Sequence, residues 1–285
     1  YDAARATLLD ALSPLGQEYA ATLGHALYAG RSVDVYETAH KRSGASCSAA
    51  YGLPPYLLLN WRDQLNDLYG LAHEAGHAMH TCLAHAAQPY VYSDYGIFLA
   101  EVAAIGNEAL LIEHLLATAP DPQTRRYVLN QQLQRVVELL FWQALFAEFD
   151  GAMHAHVEAG RAITAAWLSA TLGELMRAYF GDTVEFDERA TLLWAQFPHF
   201  YLNFYVWKFA TGMVAALALT EQILSEGPPA AERYLAFLRA GASQPPIELL
   251  RAAGGHLTTP RPVEQAMQVF AQQLDRLELL LNVVD

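Results

Sequence analysis

Apolar residues recur at intervals of three and four positions through most of this 285-residue chain. That spacing puts them on one face of an α-helix, so it predicts a mainly helical fold. The predicted helical stretches are 3–27, 65–83, 98–116, 126–157, 162–180, 200–224, 231–240 and 263–281. Pro262 is placed as a first-turn proline of the last helix. Because no repeat or linker is evident, we expect residues 1–285 to form a single domain.

One segment lacks the helical pattern. Residues 43–51 are small and polar, and after a Gly-Leu-Pro-Pro turn residues 56–61 resemble a strand. The two pieces predict a small two-stranded β element directly before the helix that begins near residue 65.

Composition excludes several classes of protein. The chain is 53% hydrophobic and 16% charged, which excludes intrinsic disorder. Its net charge of −13 would repel a phosphate backbone, so we expect no nucleic-acid partner. The longest apolar run, near 212–219, is far shorter than the roughly 20 residues of a membrane span, so we expect no membrane insertion. Cys47 and Cys82 cannot form a disulfide framework, and we expect free thiols in a reducing, cytoplasmic location.

The pattern His73-Glu74-x-x-His77 carries metal chemistry. On a helix the two histidines project from one face, one turn apart, where both nitrogens can reach one zinc ion at about 2.0–2.1 Å. Glu74 can accept a proton from a metal-bound water without ligating the metal. Gly76 costs about 1 kcal/mol inside a helix, which predicts that another element packs closely against it. The alternative is an ordinary helix with two solvated or core histidines.

A catalytic zinc needs a third protein ligand and an open fourth position. Glu101 follows His77 by 24 residues in an otherwise apolar stretch, where metal ligation would remove the cost of burying a carboxylate. Glu108 lies two turns further on the same face and is placed to support a ligand. His80 lies about 10.5 Å beyond His73 along the helix axis, so we expect it to pack in the core or to support a ligand, and not to bind the metal itself. The alternative for Glu101 is an exposed acid on an amphipathic helix.

Five stretches in chain order resemble one family. They are Lys41-Arg42-Ser43-Gly44-Ala45, His73-Glu74-x-x-His77, Phe98-x-Ala100-Glu101-Val102-Ala103, Phe197-Pro198-His199-Phe200-Tyr201-Leu202-Asn203-Phe204-Tyr205 and Pro246-Ile247-Glu248-Leu249-Leu250. Together they resemble the zinc oligopeptidases of the thimet oligopeptidase and oligoendopeptidase F family, with the oligoendopeptidase F branch the more similar. The resemblance covers the C-terminal catalytic part, and we expect this chain to lack the helical N-terminal lobe of the longer members.

The resemblance implies a mainly α, zincin-like catalytic domain, with a small β element before the zinc-binding helix and an active site in a deep channel. It implies one zinc ion (Zn2+) per chain, ligated by His73, His77 and Glu101, with Glu74 as general base and proton shuttle. The substrates it implies are short, unfolded oligopeptides.

The resemblance also places His199 and Tyr205 among residues that bind the peptide or stabilise the tetrahedral oxyanion, with Tyr201 as a third candidate. The predicted helix 200–224 would put Tyr201 and Tyr205 four residues apart on one face. A phenol or imidazole donor aimed at a developing oxyanion contributes a few kcal/mol. The alternative for Tyr201 is a place in a buried aromatic stripe.

Gly44, Ala45 and Ser46 are predicted to form an edge strand for an extended substrate. Small side chains let a peptide approach, and main-chain hydrogen bonds give affinity that tolerates many sequences. The alternative is an ordinary short hairpin.

The sequence therefore predicts a zinc metalloendopeptidase that hydrolyses oligopeptides. Two alternatives stay open. One is a non-catalytic, zinc-containing peptide-binding domain that has lost turnover without the N-terminal lobe. The other is a structural helical domain without a metal.

Overall fold

The computed structural model describes residues 1–29 and 31–282. It divides into two compact units, one formed by Tyr1–Leu133 with Gly212–Asp285 and the other by Gln134–Thr211. The expectation that residues 1–285 form one domain stays a prediction.

The described residues are mainly helical, which confirms the predicted fold class. The helices are α1 (Asp2–Ala11), α2 (Gln17–Tyr28), α3 (Leu65–Ala87), α4 (Tyr90–Ser93), α5 (Ile97–Thr118), α6 (Pro122–Val136), α7 (Trp142–Glu158), α8 (Ala165–Phe180), α9 (Leu193–Gln196), α10 (Trp207–Glu226), α11 (Pro228–Arg239), α12 (Pro246–Ala253) and α13 (Arg261–Asn282). Within this part of the chain, no helix combines the length and apolar character that a membrane crossing requires.

Several predicted helix boundaries are wrong. The stretch 3–27 is two helices, because Pro14 lies in a 3₁₀ turn and Gly16 takes a φ of 89° that interrupts the helix. The stretch 126–157 passes from α6 to α7 through a π-helical turn at Val137–Phe141. The short helices α4, α9 and α12 were not predicted from the spacing.

A small sheet precedes α3. Its strands are β1 (Val33–Asp34), β2 (Ser46–Ser48) and β3 (Tyr56–Leu58), in the order β1-β3-β2. The strand β3 is parallel to β1 and antiparallel to β2, with Cys47 opposite Leu57. The two predicted strands are present but shorter than expected. The third, β1, has only two residues, too few for an alternating pattern to reveal.

The core of the first unit is centred on α3 and α5, which pack along each other. Backbone contact at Gly76 sets their approach, because a Cβ there would lie 2.5 Å from the Ala103 carbonyl oxygen. The predicted close packing at Gly76 is thus confirmed. A buried amide links the same helices, since Asn107 Nδ2 donates to the Ala72 carbonyl at 3.3 Å. Both contacts fix the faces from which α3 and α5 present their polar side chains.

The second unit has its own core between α7 and α8. Leu145, Phe149, Leu172 and Met176 are almost fully buried there. Aromatic side chains from the segment before α10 pack against it, and the ring of Phe200 lies 5.3 Å from that of Phe149. This aromatic layer supports residues 198–205.

Candidate metal centre

The helix α3 presents His73 and His77 on one face. A capping box at its start, in which Gln64 and Asp67 exchange side-chain and backbone hydrogen bonds, fixes where the helix begins. His77 Nε2 lies 3.2 Å from His73 Nε2, and the rings are nearly perpendicular. Two ring nitrogens therefore converge on one point, as the i, i+4 spacing predicts.

The helix α5 brings Glu101 to the same point. Glu101 Oε2 lies 3.6 Å from His73 Nε2, and one ligand atom from each of His73, His77 and Glu101 falls within 4.8 Å of the others. Glu101 is only 4% exposed, so it is not the solvated acid of the alternative interpretation. Ligands about 2.0–2.1 Å from a tetrahedral zinc are about 3.4 Å apart. The donor set and its spacing therefore fit zinc.

Glu108 orients one of these histidines. Its Oε1 lies 2.7 Å from His73 Nδ1, so that ring nitrogen donates and Nε2 faces Glu101 and His77. Burial alone would lower the pKa of His73, but the hydrogen bond to Glu108 and the nearby carboxylates outweigh it and raise that pKa to about 9. A cation bound at Nε2 would replace this proton.

Glu74 lies beside the cluster without being one of its three members. Burial, with the negative charges of Glu101 and Glu108, raises its pKa to about 7. The positive charge of His73 and the nearby backbone of Cys47 act in the opposite direction and lower the pKa. A carboxylate with this pKa can exchange protons near neutral pH, which suits a general base.

A second glycine fixes the position of Glu101. A Cβ added to Gly212 on α10 would lie 2.7 Å from Glu101 Cβ. Together with Gly76 against Ala103, this contact encloses the α5 turn that carries the carboxylate. Gly212 was not among the predicted site residues, because a glycine in an apolar helix does not reveal which residue it contacts.

His80 packs against Tyr95 and is not part of the cluster. It is fully buried, its ring stacks at 3.5 Å on Tyr95, and burial lowers its pKa to about 3. The Tyr95 hydroxyl donates to the His77 carbonyl at 3.1 Å and lies 2.7 Å from Thr81 Oγ1. Tyr95 therefore braces the turn of α3 that carries His77. Residue order carries no signal for Tyr95, since it stands alone in an irregular segment.

The predicted substrate strand lies at an edge of the sheet. Ser46 begins β2, while Gly44 and Ala45 precede it, with Gly44 at a φ of 83°. Asn60 Nδ2 donates a hydrogen bond to the Gly44 carbonyl at 2.7 Å, which holds the two residues before β2 in place. The described partner of β2 is β3 alone, so the opposite edge of β2 has no strand beside it.

His199 and Tyr205 lie together in the second unit. Their ring centroids are 5.2 Å apart, and the ammonium of the buried Lys208 lies 3.4 Å from the Tyr205 ring centroid. Sequence reasoning missed Lys208, whose contact with the ring is of the cation–π type. Tyr201, by contrast, is 78% exposed, so it does not belong to a buried aromatic stripe.

The expected helical face joining Tyr201 and Tyr205 is wrong. Residues Pro198–Tyr201 form a 3₁₀ turn and α10 begins only at Trp207. Phe204 has a φ of 47°, which an α-helix does not allow. Tyr201 and Tyr205 therefore do not stand one turn apart.

Comparison with known proteins gives consistent matches. The profile of peptidase family M3 matches residues 6–269. Oligopeptidase PepF of Bacillus subtilis (strain 168) is 45% identical over 284 residues, covering 100% of this chain and 42% of that protein. Group B oligopeptidase PepB of Streptococcus agalactiae serotype III (strain NEM316) is 38% identical over 281 residues, covering 99% of this chain and 47% of that protein. The crystal structure of oligoendopeptidase-F from Enterococcus faecium matches with a TM-score of 0.71 at 35% identity, covering 98% and 43%.

The chain spans less than half the length of each of these relatives. The family profile nevertheless includes residues of both compact units and all the candidate site residues. The fold is the mainly α, zincin-like fold that the resemblance implied. With a profile matched over most of its length and a 45% identical relative aligned along all of it, this chain belongs to peptidase family M3.

Proposed function

We propose that this chain is the catalytic part of a zinc metalloendopeptidase that hydrolyses short, unfolded oligopeptides. The observation that carries the proposal is the convergence of His73, His77 and Glu101, whose ligand atoms lie within 4.8 Å of one another. Two imidazoles and one carboxylate are a donor set of catalytic zinc, and three protein ligands leave a fourth position for water or substrate. One zinc ion per chain follows from one such cluster in the described residues.

Glu74 is the general base in this proposal. When bound, zinc supplies a Lewis acid that polarises the scissile carbonyl and lowers the pKa of water. Glu74 would accept the proton of the attacking water and then donate it to the leaving amine. Its raised pKa of about 7 suits both transfers, because a group with that pKa accepts and returns a proton at small cost near neutral pH.

The free edge of β2 is proposed to bind the substrate backbone. An extended peptide would pair as an antiparallel strand with Ser46 and with Gly44 and Ala45, which precede it. The backbone of Cys47, on the same strand, lowers the pKa of Glu74, so β2 lies near the base.

His199 and Tyr205 are proposed to donate hydrogen bonds to the oxyanion, with Tyr201 as a further peptide contact. This part of the proposal depends on the family resemblance. The proposed role of His199 and Tyr205 requires residues 1–285 to work as one catalytic domain. A further lobe, corresponding to the additional residues of the longer relatives, would complete the peptide channel. The two free cysteines favour a reducing, cytoplasmic environment.

The test is cleavage of an internally quenched fluorescent peptide by the purified 285-residue chain. We expect about one zinc per chain by elemental analysis, cleavage that a chelator abolishes, and recovery when zinc is restored. Glu74→Gln should retain the zinc and lose cleavage by about 10²- to 10⁴-fold, because it removes only the proton acceptor.

Two results would decide against the proposal. Unchanged cleavage by Glu74→Gln would reject Glu74 as the base. Tight, zinc-dependent peptide binding without cleavage, measured by fluorescence anisotropy, would favour the non-catalytic peptide-binding domain instead.

A further inference from the structure

A cavity of about 430 Å³ lies in the first unit, formed by α5, α6, α10 and α13. It falls within the size range of small-molecule sites, about 300–1,000 Å³. One part of its wall is apolar, including Val214, Leu217 and Val269. The peptidase proposal gives this cavity no role.

The polar part of the wall is rich in acceptors. It includes two carboxylates, Glu113 and Glu221, and no Lys or Arg stands among the described residues that line it. Neither carboxylate forms an ion pair in the described part of the chain. The guanidinium of Arg233, on α11, pairs with Glu226 at the end of α10 and not with either carboxylate of the cavity. Two negative charges thus face the cavity without a compensating cation.

Two buried amides add to this. Gln132 is 4% exposed and Gln273 is 5% exposed, and the Oε1 atom of each has no hydrogen-bond partner among the described residues. Leaving a buried polar group unsatisfied costs about 1–3 kcal/mol, so such groups usually have a partner. Both glutamines line the cavity, which places unsatisfied amides and uncompensated carboxylates around one space.

We propose that this cavity binds a linear aliphatic polyamine. The ammonium groups would pair with Glu113 and Glu221 and donate hydrogen bonds to glutamine amides turned toward the cavity. The methylene chain would pack on the Val214, Leu217 and Val269 wall. An anion would be repelled by the two carboxylates, and an uncharged apolar ligand would leave the buried Oε1 atoms of Gln132 and Gln273 unpaired.

The site is separate from the metal centre. Glu113 follows Glu101 by 12 residues on α5, which is about 18 Å along the helix axis. A polyamine at Glu113 therefore does not touch the proposed zinc ligands. The inference does not depend on the peptidase proposal and is tested without measuring activity.

The experiment is calorimetric titration of the 285-residue chain with spermidine and with 1,4-diaminobutane in 0.15 M salt. We expect saturable binding with one ligand per chain. Methylamine has the charge without the chain and should bind at least about 10-fold more weakly, since it cannot pack on the apolar wall.

Four variants locate the site. Glu113→Gln and Glu221→Gln should each weaken spermidine binding about 5-fold, since each removes one charge pair. Ala218→Trp should block binding by filling the cavity without changing any charge. The matched control is Glu278→Gln, which removes an exposed charge from α13 outside the cavity and should leave the affinity unchanged. Circular dichroism establishes that each variant is folded.

Three results would overturn the proposal. The first is the absence of saturable binding. The second is an equal loss of affinity in Glu278→Gln and Glu113→Gln, because this would show general attraction to a chain of net charge −13. The third is tighter binding of Nα-acetyl-lysine amide than of 1,4-diaminobutane, which would make the occupant a peptide side chain.

Discussion

The two units hold their candidate residues in different ways. In the first unit, Glu101 and Glu108 are 4% and 2% exposed, and both lie on the long helix α5 against α3. In the second unit, Tyr205 lies in an irregular turn on an aromatic layer, and Tyr201 is 78% exposed. Buried carboxylates on packed helices have one geometry, whereas residues in turns and short 3₁₀ segments adjust at low cost. Packed helices therefore hold the carboxylates of the first unit in place, whereas the aromatic segment of the second unit has the fewer constraints of a turn.

The largest expected effect is on the buried carboxylate. Glu101→Gln should weaken zinc affinity by more than about 100-fold, because it removes the anionic ligand, and outer-shell substitutions alone cost 10- to 100-fold. Glu113→Gln, on the same helix, is the matched control and should bind zinc normally. Competition with a chromophoric chelator measures both. Equal affinities would remove Glu101 from the ligand set.

The second prediction concerns the aromatic segment. Tyr205→Phe should lower kcat by about 100-fold, since one oxyanion donor contributes roughly that much. Tyr201→Phe should change kcat by less than about 3-fold, because the exposed Tyr201 hydroxyl is not proposed to donate to the oxyanion. Steady-state kinetics at saturating peptide separate the two. If Tyr201→Phe has the larger effect, the assignment of donors in this segment is reversed.

The third prediction tests how rigidly the close packing of α3 against α5 is held. Gly76→Ala should lower the free energy of unfolding by about 2–3 kcal/mol, because the new Cβ would lie 2.5 Å from the Ala103 carbonyl. Gly70→Ala, on the same helix with nothing within 4 Å, should raise it by about 0.5–1 kcal/mol. A Cβ at Gly151, in α7 of the second unit, would also have nothing within 4 Å, so Gly151→Ala should likewise raise the free energy of unfolding. Urea denaturation measures all three, and a stable Gly76→Ala would mean that α3 and α5 can separate.

The effect that is smallest at neutral pH concerns the acid stability of the first unit. His80 titrates near 6.5 when unfolded and at about 3 when buried. Below pH 6.5 only the unfolded chain binds this proton, so stability falls by up to about 1.4 kcal/mol per pH unit as the pH drops toward 3. His80→Phe keeps a ring against Tyr95 and should flatten this slope between pH 6 and 4. The exposed His256→Gln is the control and should keep it, as urea titrations at each pH would show.

The outcome for the helices shows where sequence patterns are sufficient. The residue pattern predicted α3 and α5 closely. The helix α3 buries an apolar face that repeats at helical intervals, and α5 is buried on all sides over residues 99–112, a length typical of a buried helix. The same pattern failed at 200–224, where Phe204 takes a positive φ and α10 begins only at Trp207. Aromatic residues pack equally well from a turn or a helix, so their spacing does not distinguish the two.

The sequence alone determined the chemistry that this chain can carry. His73 and His77 share a face because the helix repeat puts them one turn apart, and Glu101 in an apolar run required a compensating partner. These relations are local, so they can be derived from residue order.

Only the tertiary structure decided what lies across from these residues. It placed Glu108 on His73, Gly212 against Glu101 and Tyr95 under His77. It also enclosed a cavity between helices far apart in sequence. Such contacts depend on how closely two backbones approach, which is set by packing over the whole core and has no periodic trace in the chain.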